Sequence, residues 1–339
     1  MKPTLQEIAR IAGVSLSTVS LVLSNKGNIS DEVRNKVRTV ASNLGYRKCQ
    51  SSQDGKPRKV VILFHFDHHL AHTWNMLRQV TLELQSHLQQ LNYLTLLIPI
   101  TYDMRDDEIF SKVVATGAVV VFSMHFGRES LFTQFEKAAI PVVVIINSQF
   151  QSKFHTVCAD NFQGSYEAAS YLIELGHRNI IYAEFDLYQL PVTLSDRYLG
   201  FYKAMKEAGI EFPEAQRLRL TIDDAADTKH KFKEIFRKKN SPTAIFFIDD
   251  YIAASCVHIL EDLNLTFSKE ISIIAAGEVL DYNESFIPRI TTMWTSPIQL
   301  GKFSAEMAFS ILTNAQETNN VLKIKQQLID RGSCHDISV

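Results

Sequence analysis

Gly13-Val14-Ser15-Leu16-Ser17-Thr18-Val19-Ser20-Leu21-Val22-Leu23-Ser24-Asn25 is the stretch around which the chain is organised. Gly13 is free to take positive φ and ends whatever helix precedes it. Ser15 is a good N-cap for the next one. Val19, Val22 and Leu23 make the apolar stripe of that helix, leaving Ser17, Thr18, Leu21 and Ser24 on other faces. Upstream, Thr4 stands three residues before Glu7 in a capping-box arrangement, and Leu5, Ile8, Ala9 and Ala12 share one face. Downstream, Ser30 caps a third helix with Asp31 and Glu32 at its positive end. Val33, Val37, Val40, Ala41 and Leu44 form its buried stripe, and Gly45 ends it. Two short helices joined by a Gly-containing turn form a helix-turn-helix, whose second helix enters the DNA major groove. On these residues alone, a three-helix module that binds no DNA is the alternative.

The whole composition points the same way. The 339 residues leave room for two or three domains, and 46% hydrophobic with 21% charged residues is ordinary for a soluble globular protein. No apolar run is long enough to cross a bilayer, and Met1-Lys2-Pro3-Thr4 opens no signal-peptide core. Cys49, Cys158, Cys256 and Cys334 are scattered without metal-type spacing, as free thiols of a reducing cytoplasm would be. A cytoplasmic location is expected. Residues 1–60 carry eleven Lys and Arg against four Asp and Glu, a net charge of +7. With the chain at −2, the rest carries −9. A basic head on an acidic body is the footprint of a nucleic-acid reader with a separate sensor.

Residues 47–59 are polar, hold Gly55 and Pro57 and lack apolar periodicity, as a linker does. From there strands alternate with helices. Val60-Val61-Ile62-Leu63-Phe64 is a continuous apolar run, expected of a strand buried on both faces. Residues 74–91 have helical periodicity through Leu77, Val80, Leu84, Leu88 and Leu91. Strands are expected at 94–98, 118–122, 141–146, 180–182, 244–247 and 271–275. Helices are expected at 108–115, 132–139, 161–175, 196–208, 229–238 and 251–263. This rhythm implies parallel sheets with helices on both faces, arranged as two lobes with a cleft between.

The head, Thr4-Leu5-Gln6-Glu7-Ile8-Ala9, Ala12-Gly13-Val14-Ser15, Thr18-Val19-Ser20, Leu23, Ile29-Ser30 and Leu44-Gly45-Tyr46, resembles the headpiece of the lactose-repressor (LacI) family of bacterial transcription regulators. The body resembles that family's effector domain, which shares the fold of periplasmic binding proteins. Its matching pieces include Asp160-Asn161, Leu175-Gly176-His177-Arg178, Arg197-Tyr198-Leu199-Gly200-Phe201, Pro288-Arg289-Ile290-Thr291-Thr292 and Arg331-Gly332-Ser333. The resemblance covers essentially the full length. It implies an all-α helix-turn-helix headpiece over 1–46, a hinge over 47–59 and an effector-binding and dimerisation domain over 60–339. It also implies three crossovers, with 60–158 plus 290–321 in one lobe and 159–289 plus 322–339 in the other.

Carried over by position, Leu16 and Ser17 fall at the base-reading pair. Thr18, Ser20, Asn25 and Ser30 fall where the family holds phosphates or bases, and Thr4, Leu5, Ser15 and Tyr46 also fall at the DNA. Leu21 stands where an Arg is usual. A Leu cannot donate to guanine O6 or N7 but can touch a thymine methyl, so a different operator is implied. The alternative is that Leu21 packs. The family's hinge Leu, which wedges into the minor groove, is Gly55 by position, implying a less bent or more weakly bound operator.

For the cleft, the resemblance implies that Arg197 binds the effector, its planar fork suiting vicinal hydroxyls or a carboxylate. Trp74 falls where an aromatic stacks on the effector, with core packing as the alternative. Thr193 is a further pocket candidate. Asp249 and Asp250 can hydrogen-bond a polyol or cap the next helix. After residues 271–274 the family reads Gly-aromatic-Asp-Asp, the first Asp gripping a sugar. Here Gly277 replaces that Asp and Glu278 the next, and Ile146-Asn147 stands where an Asp is frequent. An atypical effector, or loss of effector binding, follows. The run from His65 to His72 reads as a polar loop at the cleft mouth; His68 and His72 have helical metal spacing, but no metal or cofactor is assigned.

The sequence thus predicts a dimeric transcription regulator, a repressor by default. It would bind a palindromic double-stranded operator under control of a small polar effector, a sugar by family default. The alternative is a solute-sensing module with lost or weakened DNA binding. An enzyme is not expected: the sequence holds no Gly-rich phosphate loop, Gly-x-Ser-x-Gly elbow or paired zinc-ligand motif.

Overall fold

The computed structural model describes residues 5–23, 29–43, 57–65, 73–185, 192–221, 224–237, 239–267, 269–313 and 319–338. The chain divides into two units, residues 1–57 and 58–339. The first holds three helices, α1 (Leu5–Ala12), α2 (Leu16–Leu23) and α3 (Asp31–Asn43). Ile8, Ala12, Val19, Val22 and Val37 are buried where they meet, with Ala9 and Ala41 beside them. Gly13 turns the chain at φ 66°, a left-handed value that costs glycine nothing. The Ser15 Oγ then accepts the Thr18 N–H at 3.0 Å, capping α2.

The second unit is built on two six-stranded sheets. The first contains β1 (Arg58–His65), β2 (Tyr93–Ile100), β3 (Val121–Met124), β4 (Val142–Ile145), β5 (His155–Ala159) and β11 (Val321–Ile324), in the order β11-β5-β4-β3-β1-β2. Its strands are parallel throughout. Helices α4 (Trp74–Gln90), α5 (Asp106–Thr116), α6 (Glu129–Lys137) and α11 (Pro297–Thr313) cover it. The apolar run of β1 is explained by this double coverage. Val60 and Ile62 pack with Leu77, Leu84 and Leu300 from α4 and α11. Val61 and Leu63 pack with Ile109, Val113, Leu131 and Phe135 from α5 and α6. Successive side chains of a strand point to opposite faces, so a strand covered on both sides must be apolar at every position.

The second sheet contains β6 (Ile180–Phe185), β7 (Arg217–Leu220), β8 (Ala244–Phe247), β9 (Ser272–Ala275), β10 (Thr291–Trp294) and β12 (Gln327–Ile329), in the order β12-β10-β9-β8-β6-β7. Only β12 runs antiparallel, against β10. Helices α7 (Asn161–Glu174), α8 (Val192–Glu207), α9 (Ala225–Phe236) and α10 (Asp250–Glu261) pack with it around Tyr182, Phe201, Phe232, Phe246 and Phe247.

The chain passes between the sheets after β5, after β10 and after β11. The expected lobe limits shift accordingly. Ala159 closes β5 in the first sheet. Thr291–Trp294, expected in the first lobe, forms β10 in the second, held in register with β9 by pairs such as Thr291 with Ile274. Leu322–Ile324, expected in the second lobe, pairs instead with Val157–Ala159 of β5. Arg58 and Lys59, expected in the linker, already belong to β1; residues 44–56 lie outside the described residues. Two of the crossings are tied together by Gln326, whose Nε2 donates to the Met293 carbonyl at 3.2 Å and to Thr295 Oγ1 at 3.1 Å. Gly164 of α7 makes room for it: a Cβ there would lie 2.0 Å from Gln326 Oε1.

At the amino ends of the second sheet, fully buried His177 bonds Thr243 Oγ1 at 2.8 Å and donates to the His335 carbonyl at 3.2 Å. Burial pushes its pKa down to about 4 from the ordinary 6.5, so it is neutral in the folded protein. As pH falls below 6.5 the unfolded chain takes up a proton that the folded one refuses until about pH 4, and stability is lost across that window. Measured by urea unfolding, the stability difference between the wild type and His177→Gln should move by about 3 kcal/mol in favour of the variant from pH 7 to pH 4. A difference that stays constant would refute a buried neutral His177.

Candidate functional sites: a helix face and an inter-lobe cleft

In the headpiece the buried stripe of α2 is Val19 and Val22, which turns the other side outward. Leu16 is 46% exposed and Leu21 39% exposed, and Ser15 and Ser17 are exposed beside them. Leu21 is therefore not consumed by packing. Thr18 is half-buried and bonds Ser15 through its hydroxyl as well as its N–H. Leu5 is half-buried against the headpiece core and Ser30 is exposed before α3. Thr4, Asn25 and Tyr46, and the side chain of Ser20, lie outside the described residues.

The cleft is lined by the carboxyl ends of the strands, where open α/β sheets bind ligands. In the first lobe two non-glycine residues take left-handed conformations there: His125 after β3 at φ 61° and Ile146 after β4 at φ 71°. Such a value is costly for a β-branched residue and persists only where the surroundings enforce it. Asn147 is the brace. Its Oδ1 accepts the Gln149 N–H at 2.9 Å and its Nδ2 donates to the His125 carbonyl at 3.3 Å. Next to it, Ser148 reaches the other lobe and donates to Asp196 Oδ2 at 3.1 Å. His65 ends β1 buried between Tyr102 and Phe126, with ring centroids 4.1 and 5.4 Å away. The run from 66 to 72 lies outside the described residues. Trp74 opens α4 half-buried and packs against the first-lobe core.

In the second lobe the site is organised by the crossing of α7 and α8. Gly200 permits close approach, since a Cβ there would lie 2.1 Å from the Phe162 carbonyl oxygen. One turn earlier, Arg197 donates from Nε to Asn161 Oδ1 at 3.0 Å and from Nη1 to the Ile248 carbonyl at 2.6 Å. Its guanidinium lies on Gly277, where a Cβ would come within 2.5 Å of Nη2. Burial lowers the guanidinium pKa, opposed by the charges of Asp249, Tyr182 and Asp250. Asn161 has no place in the sequence expectations beyond its pairing with Asp160; nothing short of the helix crossing reveals it as the anchor. The side chain of Thr193, in the first turn of α8, lies outside the described residues.

The three acidic candidates are all engaged by the protein itself. Asp249 caps α10, accepting the Ile252 N–H at 2.9 Å. Asp250 is fully buried and accepts the N–H groups of Val279 and Leu280 at 2.9 and 3.1 Å. Burial, then the neighbouring Asp249, pushes its pKa up to about 7 against those two bonds. Glu278 accepts from Arg331 Nη2 at 2.8 Å and from the Thr292 hydroxyl. Arg331 in turn stacks on Tyr282, 3.6 Å from the ring centroid. These two side chains are only 9% and 13% exposed, so the pair is a buried brace between the 277–282 loop and the final strand segment.

Among relatives, the profile of bacterial regulatory proteins of the lacI family matches residues 4–48, and that of the periplasmic binding protein-like domain matches residues 169–334. The chain belongs to the lacI family of bacterial regulatory proteins. This lacI-family chain is 27% identical over 339 residues to the HTH-type transcriptional repressor PurR of Pectobacterium carotovorum subsp. carotovorum, covering 98% of this chain and 97% of that protein. It is 26% identical over 302 residues to the HTH-type transcriptional regulator DegA of Bacillus subtilis, covering 86% of each. Solved structures of the same fold include the transcriptional regulator CelR–cellobiose complex (TM-score 0.68, 18% identity, 98% and 100% coverage). The lac repressor dimer bound to operator and the anti-inducer ONPF has TM-score 0.66 and 19% identity, with 98% and 99% coverage.

Removing one partner of a buried ion pair strands the other. Glu278→Ala and Arg331→Met should therefore each cost about 3–5 kcal/mol in urea unfolding, since either leaves the other charge buried and unpaired. A loss below about 1 kcal/mol, the range of an exposed pair, would place Glu278 in solvent instead.

Proposed function

We propose that the chain is a DNA-binding transcriptional repressor that reads a two-fold operator as a homodimer and is controlled by a small polar effector in the inter-lobe cleft. The observation that carries this reading is the division of labour on α2. Val19 and Val22 hold the helix to its core, while Ser15, Leu16, Ser17 and Leu21 stand exposed in an amino-terminal region, residues 1–60, of net charge +7. The expected phosphate term makes affinity fall steeply with salt. Leu16 and Leu21 offer methyl groups to the bases, which suits thymine-rich positions better than guanine.

A dimer needs a self-complementary face. Leu82 on α4 and Leu97 on edge strand β2 are about half exposed, large and apolar, on adjoining elements of the first lobe. Two copies meeting there would cover an edge that otherwise invites indiscriminate pairing. The effector couples to DNA only if it binds two arrangements of the lobes unequally. The Ser148–Asp196 bond joins the two lobes, so a separation of the lobes would break it.

Selection of binding sites from random duplex DNA with the full-length protein at moderate salt should enrich a palindrome. Leu21→Arg should shift the preferred base at one symmetric position toward G·C, a discrimination of about 1–3 kcal/mol. Enrichment of no sequence, with or without metabolites added, would leave a solute sensor as the better account. Leu97→Glu should convert the dimer to monomer in sedimentation equilibrium and weaken operator binding without altering its sequence preference.

A further inference from the structure

Among the described residues, the acidic side chains at the cleft edge of the second lobe each already accept a bond from the protein, while Arg197 keeps a donor to spare. Asp249 accepts the Ile252 N–H through Oδ1, Asp250 accepts the Val279 and Leu280 N–H groups through one oxygen each, and Glu278 accepts from Arg331 and Thr292. Gly277 contributes no side chain. Arg197 is the opposite case. Its Nε and Nη1 are anchored on neutral oxygens, Asn161 Oδ1 and the Ile248 carbonyl. Among the described residues no carboxylate forms an ion pair with it, and its Nη2 has no hydrogen-bond partner.

Each hydroxyl of a polyol presents one proton beside its two lone pairs, and a site for it must accept as well as donate. A carboxylate presents only lone pairs and matches the guanidinium fork with two parallel charge-assisted bonds. It would also pair with a partly buried cation that forms no ion pair among the described residues. Gly277 serves this in two ways. An acidic side chain there would be an internal competitor for Arg197, and any side chain would displace the guanidinium, whose Nη2 and Cζ lie 2.5 and 2.8 Å from the Cβ position. Asp249 is close enough to act on the Arg197 charge, but its carboxylate is held at the positive end of α10.

We infer that the inter-lobe cleft takes a small organic anion, a carboxylate or the isochemical phosphate, seated on Nη2 and the remaining Nη1 proton of Arg197. This rests on the cleft being the effector site. The requirement is for Arg at 197 and for the absence of a side chain at 277, so the two positions should fail together.

The test is native mass spectrometry of the full-length protein incubated separately with the anionic and the neutral fraction of a bacterial metabolite extract, split by anion exchange. Fragmentation of the bound species separates carboxylates from phosphates. The expected result is an adduct from the anionic fraction, reduced about tenfold or more in Arg197→Gln and equally in Gly277→Asp. Gly277→Asp keeps Arg197 and supplies it with an internal carboxylate; Gly277→Ala, which displaces the guanidinium without adding a charge, measures the steric part, and the aspartate should cost more than the alanine. The variants are compared after their far-ultraviolet circular dichroism matches the wild type. An adduct from the neutral fraction alone, or an anionic adduct undiminished in Gly277→Asp, would overturn the inference while leaving the effector site standing. No adduct from either fraction would sink the effector site and this inference together, while operator selection judges the DNA-binding reading independently.

Discussion

Parallel strands joined by helices must be covered on both faces, and the body of this protein is laid out by that constraint. β1 shows it in four residues: Val60 and Ile62 face α4 and α11, Val61 and Leu63 face α5 and α6. Burial of this kind contributes about 25 cal/mol per Å² of apolar surface and admits a polar residue within a strand only where it is bonded, as Ser123 is to the Phe126 carbonyl and Glu184 to Arg217. Polar groups with bonds to spare are thereby concentrated at the strand ends. Those of β3, β4 and β8 carry His125, Asn147 and Asp249, and all the candidate effector contacts stand within a few residues of such an end or on a helix that begins there.

The same concentration of polar groups explains why the cleft is chemically lopsided. Loops at strand ends have N–H groups that need acceptors, and here the local carboxylates supply them: Asp249 to α10, Asp250 to residues 279 and 280. A carboxylate used to hold a loop has fewer lone pairs left for a ligand. Arg197 is instead held from behind, by an amide oxygen and a carbonyl, and keeps its outer edge for something else. Its position is a product of helix packing, since Gly200 sets the α7–α8 approach that brings Asn161 within reach.

Much of this was readable from residue order. Ile8, Ala12, Val19, Val22 and Val37 mark the headpiece core by spacing alone, and the β1 run announces its two-sided burial. The short outer strands were less legible. His155-Thr156-Val157-Cys158 mixes polar and apolar types because His155 and Thr156 find local partners in Asn320 and the Phe154 carbonyl. Val321–Lys323 is an exposed edge with no periodicity to detect. The lobe limits slipped by a few residues because sheet membership is decided by pairing with β9 or β5, more than a hundred residues away in the case of β11. Within the site, Glu278 reads as a free acid until Arg331, 53 positions later, is seen beside it. Asp249 and Asp250 look alike in sequence; Asp249 caps its own helix, while the N–H groups that Asp250 meets depend on the path of the 277–281 loop.

Gln326 has a mechanical consequence. By donating to Met293 and Thr295 it laces the third connection to the second, where two strands leave their sheets side by side. A pair of ribbons fastened in this way bends readily across its flat direction but resists shear and torsion. The two lobes then share essentially one soft coordinate, opening and closing. A ligand needs to supply only enough differential affinity to move the molecule along that coordinate, and little of it is dissipated in sideways motion. Gly164 keeps the space that the lacing side chain occupies, so the smallest residue in α7 sets the stiffness of the joint.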